Sequence, residues 1–412
     1  MTEEAVDRAT YQAVLGVPAF LAVFTVRTLS IAAETLRVLA LSILVLTETG
    51  SPALAAFAFG AGFLPQAVGG VLLGALPDLV PPRTLMTIGY LIEAAAAAAL
   101  ALAGLPAWAC LLVVASVATV TPAFNGSTGR VVAQVLTGER YVLGRSLLMV
   151  SASLAQLAGL AAGAAAVGLL GPRHTLIVCA AVHLVAVLVT WLTVPTQRMP
   201  ARTGPPLVRR GWQTTGGLLA DRPLRTLLLA MWLPPAMVTG AEGLLVSYAP
   251  TVGLAPSGVG PLLAAVLVGL LVGDVVMARL VRPAPRARMV APLVALLGLP
   301  LLGFAASVGP VLACGLLLLA GCGFGYGVEV QRRFVEAVPE QTRGQAFALM
   351  STGTMTAQGL GPLLFGALST VVPVGTAIAA AGAGAVAMAV WLAAHGFAVG
   401  VGSCGDVRDA PS

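Results

Sequence analysis

The chain alternates between long apolar runs and short clusters of Gly, Pro and Arg. The runs cover 17–46, 52–76, 84–104, 107–136, 145–170, 174–194, 224–249, 258–281, 288–307, 310–336, 344–371 and 374–399. Each is about as long as the roughly 20 apolar residues that a spanning helix needs. The pattern therefore predicts an all-α membrane protein with twelve transmembrane helices in two six-helix bundles. The first, fourth and tenth runs are long enough to tilt or to project beyond the hydrocarbon. The longest polar connection, "PTQRMPARTGPPLVRRGWQTTGGLLADRP" at 195–223, leaves six runs on either side. The predicted organisation is an N-terminal bundle at 1–194, a cytoplasmic linker at 195–223, a C-terminal bundle at 224–399 and a cytoplasmic tail at 400–412.

The two halves also echo one another. "GRSLLMVSASLAQLAGL" begins at Gly144 and "GQAFALMSTGTMTAQGL" at Gly344. At this offset Ser151 matches Ser351, Gly159 matches Gly359 and Trp191 matches Trp391. A six-plus-six repeat about a polar linker is the architecture of transporters with a site at the repeat interface near mid-membrane.

Composition agrees. The 412 residues are 58% hydrophobic and 9% charged, with a mean hydropathy of +0.97. Soluble domains carry roughly 25% charged residues, so lipid is the expected solvent. All 22 basic residues are arginine. With the N-terminus inside, eighteen of them fall in inner segments, Arg173 alone falls in an outer loop, and Arg27, Arg37 and Arg130 lie within helices. The positive-inside rule explains this asymmetry. The net charge of +6 then reflects topology, and no nucleic-acid partner is expected. The implied location is the inner (plasma) membrane, multi-pass, with both termini cytoplasmic. The acidic start "MTEEAVDRAT" lacks a basic n-region, so the first run is expected to be a retained helix.

The stretch "RTLSIAAETLR" (27–37) places three charges in the first run. At 100° per residue Arg27 and Glu34 lie about 20° apart around the helix, and Arg37 about 60° further on. A charge near the bilayer centre costs at least about 2.5–3.5 kcal/mol, so the stripe is expected to face a wet cavity. There Glu34 and Arg37 are spaced to pair at i, i+3. One alternative makes this a structural ion pair that locks the helix to a neighbour. The other makes Glu34 a carboxylate that is protonated, or binds a cationic substrate, during a transport cycle.

Three further membrane carboxylates are Glu242, Glu329 and Glu93. Glu242 follows the "PP" at 234–235. Glu329 lies about a turn before Arg332 and Arg333, where a local surface pair is an equally good account. Glu93, beside an alanine run, is the weakest candidate. Arg130, near the inner end of the fourth helix, has the placement of a snorkelling interfacial residue. The five cysteines and three histidines show no metal or redox spacing. "GCGFGYG" (321–327) follows no strand and is no dinucleotide loop. No Walker sequence is present, so no cofactor, ATP chemistry or enzymatic activity is expected.

The segment "GALPDLVPPRTLM" (74–86) resembles the cytoplasmic signature of the major facilitator superfamily, with Gly74, Asp78 and Arg83 in the matching places. "VPEQTRGQAFAL" (338–349) is similar to that family's loop into the eleventh helix, where Arg343 precedes Gly344. Glu34, Arg37 and the "TGSP" turn at 49–52 resemble the start of the drug and siderophore exporter branch, which includes enterobactin-exporter-like and macrolide-efflux-like proteins. The resemblance implies alternating access by rocking of the halves, usually coupled to protons. It also implies a cytoplasmic gate around Gly74, Asp78, Arg83, Arg130 and Arg343. The expected function is proton antiport that exports a small amphipathic compound, such as an antibiotic, a secondary metabolite or a siderophore. The expected residues in the proton-coupling or substrate cavity are Glu34, Arg37, Arg27, Glu242 and Glu329. The expected partners are a small-molecule substrate, protons and membrane lipid, with the protein a monomer. Proton-coupled nutrient import and a non-transporting sensor are the alternatives.

Overall fold

The computed structural model describes residues 10–73, 76, 79–194, 218–339 and 343–397. After a short helix at Tyr11–Leu15, twelve long helices follow among the described residues. They are α1 (Pro18–Thr49), α2 (Pro52–Leu73), α3 (Pro82–Leu102), α4 (Ala107–Val135), α5 (Gly138–Leu170), α6 (Pro172–Thr193), α7 (Arg222–Val252), α8 (Ser257–Leu280), α9 (Pro285–Ala306), α10 (Pro310–Ala337), α11 (Arg343–Leu368) and α12 (Val374–His395). All but α11 are long and apolar enough to cross a membrane. That helix is 26 residues long but carries a polar run, Ser351 to Gln358, part of which faces the interior cavity described below.

Punctuation in the sequence sets the helix ends. Proline opens α1, α2, α3, α6 and α10, where its missing N–H leaves no helical bond unmade. Between α1 and α2, Gly50 takes φ 64° and donates its N–H to the Leu46 carbonyl at 2.8 Å. The Ser51 hydroxyl then accepts the Leu54 N–H at 3.3 Å. "TGSP" is thus a C-cap followed directly by an N-cap. The largest boundary difference from the hydrophobic pattern is at α5, which starts at Gly138 rather than near 145. The polar segment "GERYVLGR" is already helical before the apolar run begins.

Within the first half α1 packs on α5 and α6, α3 on α6, and the second part of α2 on α4. Within the second half α7 packs on α11 and α12, α9 on α12, and α8 on α10. Small residues let the backbones approach. A Cβ at Gly361 would strike the Ala236 carbonyl of α7, and one at Gly159 would strike Ala32 of α1. The halves meet where α2 lies on α7 and α11, and where α5 lies on α8. Named close approaches across that seam include Ala56 to Gly243, Ala56 to Gly366, Pro362 to Gly60, Leu64 to Gly359 and Ala164 to Gly260. Most lie in the part of their helix nearer the α1–α2 turn, and the Leu64–Gly359 approach lies near the middle of α2 and α11. The halves are therefore sealed against each other at that end.

Candidate functional site

Below this seal lies a cavity of about 480 Å³ lined from both halves. Arg27, Ile31, Glu34 and Thr35 face it from α1, Phe59 and Phe63 from α2, and Gln156 from α5. Opposite them are Glu242 of α7, Phe324 of α10, and Met355 and Gln358 of α11. The 3.6-residue period places Ile31, Glu34, Thr35 and Val38 on one side of α1. The break in α2 at Ala61–Gly62 falls between Phe59 and Phe63. Among the described residues, neither a hydrogen bond nor an ion pair holds Arg27, Glu34 or Glu242. Two carboxylates and one guanidinium thus border a common space with their polar ends unengaged. The amides of Gln156 and Gln358 and three phenylalanine rings complete a surface suited to an amphipathic, charged small molecule.

The structure brings together three of the five expected cavity residues, Arg27, Glu34 and Glu242, and separates two. Arg37 does not line the cavity or pair with Glu34 in this state. It is 4% exposed and turned into the first half, where its Nη2 lies 3.2 Å from Oε2 of Glu93 on α3, itself 6% exposed. The 60° step between positions 34 and 37 accounts for this, since it carries Arg37 off the cavity face and toward α3 and α6. The contact lies within ion-pair distance but lacks hydrogen-bond geometry. Arg37 Nε and Nη1 are also buried without a partner, a condition that costs about 1–3 kcal/mol per group. Glu93 was the least promising carboxylate by sequence. The signal that points to it is charge balance, because a membrane-buried arginine needs a carboxylate from another helix.

Glu329 is likewise off the cavity. It is fully buried and saturated by its own helix: Arg332 donates from Nη2 to Oε1 at 2.7 Å and from Nε to Oε2 at 2.9 Å, and Arg333 Nε donates to Oε1 at 2.9 Å. The i, i+3 and i, i+4 spacing makes this pairing local. Of the expected gate, Gly74 and Asp78 lie outside the described residues. Arg343 opens α11, and its side chain is also outside the described residues. Arg83 rests over the Trp191 ring of α6 at 4.3 Å, a cation–π contact inside the first half. Arg130 lies in the last two turns of α4. Sequence reasoning passed over Gln156, Gln358, Phe59, Phe63 and Phe324, which carry no charge to mark them in an apolar helix.

The comparisons with known proteins agree on the fold. The model of the Major Facilitator Superfamily matches residues 22–331. No curated protein matches the chain in sequence. Among solved structures, the nucleoside transporter NupG, determined as a point mutant, superposes with a TM-score of 0.73 at 14% identity, covering 91% of this chain and 99% of that one. A bacterial homolog of the human lysosomal transporter Spinster, in an inward-facing, unoccupied conformation, gives a TM-score of 0.70 at 14% identity over 95% and 97% of the two chains. Its occupied form gives 0.68 at 16% identity over 92% and 95%. At these identities the likeness shows the fold alone.

Proposed function

Because the chain belongs to the Major Facilitator Superfamily, a family of small-molecule transporters in lipid membranes, we propose that it exports a small amphipathic compound by proton antiport. The substrate class is an antibiotic, a secondary metabolite or a siderophore. The moving parts are the bundles 1–194 and 224–399, joined by the cytoplasmic linker 195–223, in a monomer of the inner membrane. The observation that carries this reading is the unpartnered Glu34 in a cavity walled by both halves. A carboxylate there meets substrate and proton in the same space, so one can displace the other as the halves rock.

The arginine distribution puts the α1–α2 turn outside. With that orientation, a cavity sealed at the outer end belongs to the cytoplasm-facing state, which an exporter loads from and an importer releases into. In this reading Gly74, Asp78, Arg83, Arg130 and Arg343 form the gate that closes the inner ends in the opposite state. Arg83 would have to leave Trp191 to take part. The test is efflux of ethidium and an antibiotic panel from cells expressing the chain, with and without a protonophore. The expected result is protonophore-sensitive efflux that Glu34→Gln abolishes while the protein stays inserted. Full efflux by the Glu34→Gln protein overturns Glu34 as the coupling group, and protonophore-sensitive accumulation in place of efflux overturns the direction in favour of import.

A further inference from the structure

Arg37 stands between two environments. Three residues earlier on α1, Glu34 lines the cavity without a partner. On the other side Glu93 of α3 meets Arg37 through a single pair of atoms, Nη2 and Oε2, at 3.2 Å. A guanidinium carries five N–H donors in a rigid fork, and here Nε and Nη1 are buried with nothing to receive them. The neighbourhood holds further titratable groups. His183 of α6 is fully buried, with Nδ1 2.9 Å from the Cys179 carbonyl and Nε2 without a partner. The Tyr90 ring of α3 lies 6.5 Å from the His183 ring, centroid to centroid. Arg27 and Glu34 contribute charge from α1, and the buried Cys179 of α6 is a further titratable group near Arg37.

We propose that Arg37 is a positioning residue shared by two carboxylates, held by Glu93 in the state seen here and turned to Glu34 when Glu93 loses its charge. This rests on the reading of Glu34 as the coupling carboxylate and adds a second acid that this reading does not contain. The geometry favours sharing. Positions 34 and 37 are adjacent on the helix surface, and one guanidinium fork lies between them and α3. Where water is scarce, Arg37 by itself cannot fully compensate both anions, so whichever carboxylate is neutralised yields the guanidinium to the other. A proton reaching Glu93 is thereby felt in the cavity as a new ion pair on Glu34, with no bond made or broken except that to the proton. Arg37 is the link between the first half's interior and the substrate space.

Dicyclohexylcarbodiimide, which condenses with protonated carboxyl groups in apolar surroundings, reads this directly on the full-length protein in detergent. The quantity measured is the rate of modification at Glu34, by mass spectrometry of the peptide that contains it. In Glu93→Gln, Arg37 has only Glu34 to serve, and the Glu34 rate falls about tenfold, the factor that one unit of carboxylate titration produces. Adding Arg37→Gln returns it to the wild-type rate, which a general loosening of the fold would not do. Glu93→Asp, which draws that carboxylate back by one methylene and weakens its hold on Arg37, lowers the Glu34 rate in the same sense and serves if Glu93→Gln is not recovered folded. An unchanged Glu34 rate in either folded variant, or no recovery in the double variant, overturns the proposal. The assay needs no transported substrate, so a failure of export leaves its outcome readable.

Discussion

Two buried carboxylates in this molecule meet arginine in opposite ways. Glu329, near the end of α10 that leads to α11, collects three donated hydrogen bonds from the next turn of its own helix. Arg332, whose side chain is 45% exposed, reaches on to Glu336. Glu93, in the middle of α3, depends on an arginine from another helix and receives one contact that falls short of a hydrogen bond. The first arrangement is saturated and could be assembled by an isolated helix. The second is undersaturated, and only the packing of α1 against α3 and α6 creates it. Charge that is saturated locally has no reason to move. Charge that is partly satisfied across helices, next to a cavity, is free to be re-partnered.

That contrast is tested first by Arg37→Ala. It leaves Glu93 buried and alone, and breaking a buried pair on one side costs about 3–5 kcal/mol. Thermal unfolding of the detergent-solubilised protein should register this as a large loss, and a near-wild-type midpoint would place Arg37 in water rather than in the interior. Arg332→Ala should cost less, about 1–3 kcal/mol for lost charged hydrogen bonds, because Arg333 still holds Glu329; a loss as large as that of Arg37→Ala would remove the distinction between the two sites. Smallest is Arg173→Ala. Arg173 pairs with Glu48 at 2.7 Å with its side chain 49% exposed, and a solvent-exposed pair contributes about 0–1 kcal/mol. Raising the salt concentration should mimic that last variant and leave the Arg37 site unmoved.

The repeat shows where reading by pattern reaches its limit. Gly159 and Gly359 occupy matching places in the two copies, yet Gly159 packs on Ala32 inside its own half while Gly359 packs on Leu64 across the seam. Trp191 supports Arg83, whereas Trp391 stacks on His395 at 4.4 Å. The matches are a property of the chain, and their uses depend on which helix arrives opposite. Asp78 and Gly74, central to the expected gate, lie outside the described residues.

Much of this protein follows from one-dimensional pattern. Apolar runs of spanning length, proline at helix starts and the Gly50–Ser51 turn settle the number and approximate limits of the helices, because backbone hydrogen bonding inside lipid leaves the helix as the only form for such runs. Helical periodicity also places Arg27 and Glu34 on one face, and that face does line the cavity. The partner of the third charge, Arg37, is not legible there. Whether Arg37 turns to Glu34 or to Glu93 depends on the approach of α1 to α3, and the cavity wall depends on six or more helices converging. Local spacing determines what one helix presents, and only the tertiary fold decides what meets it.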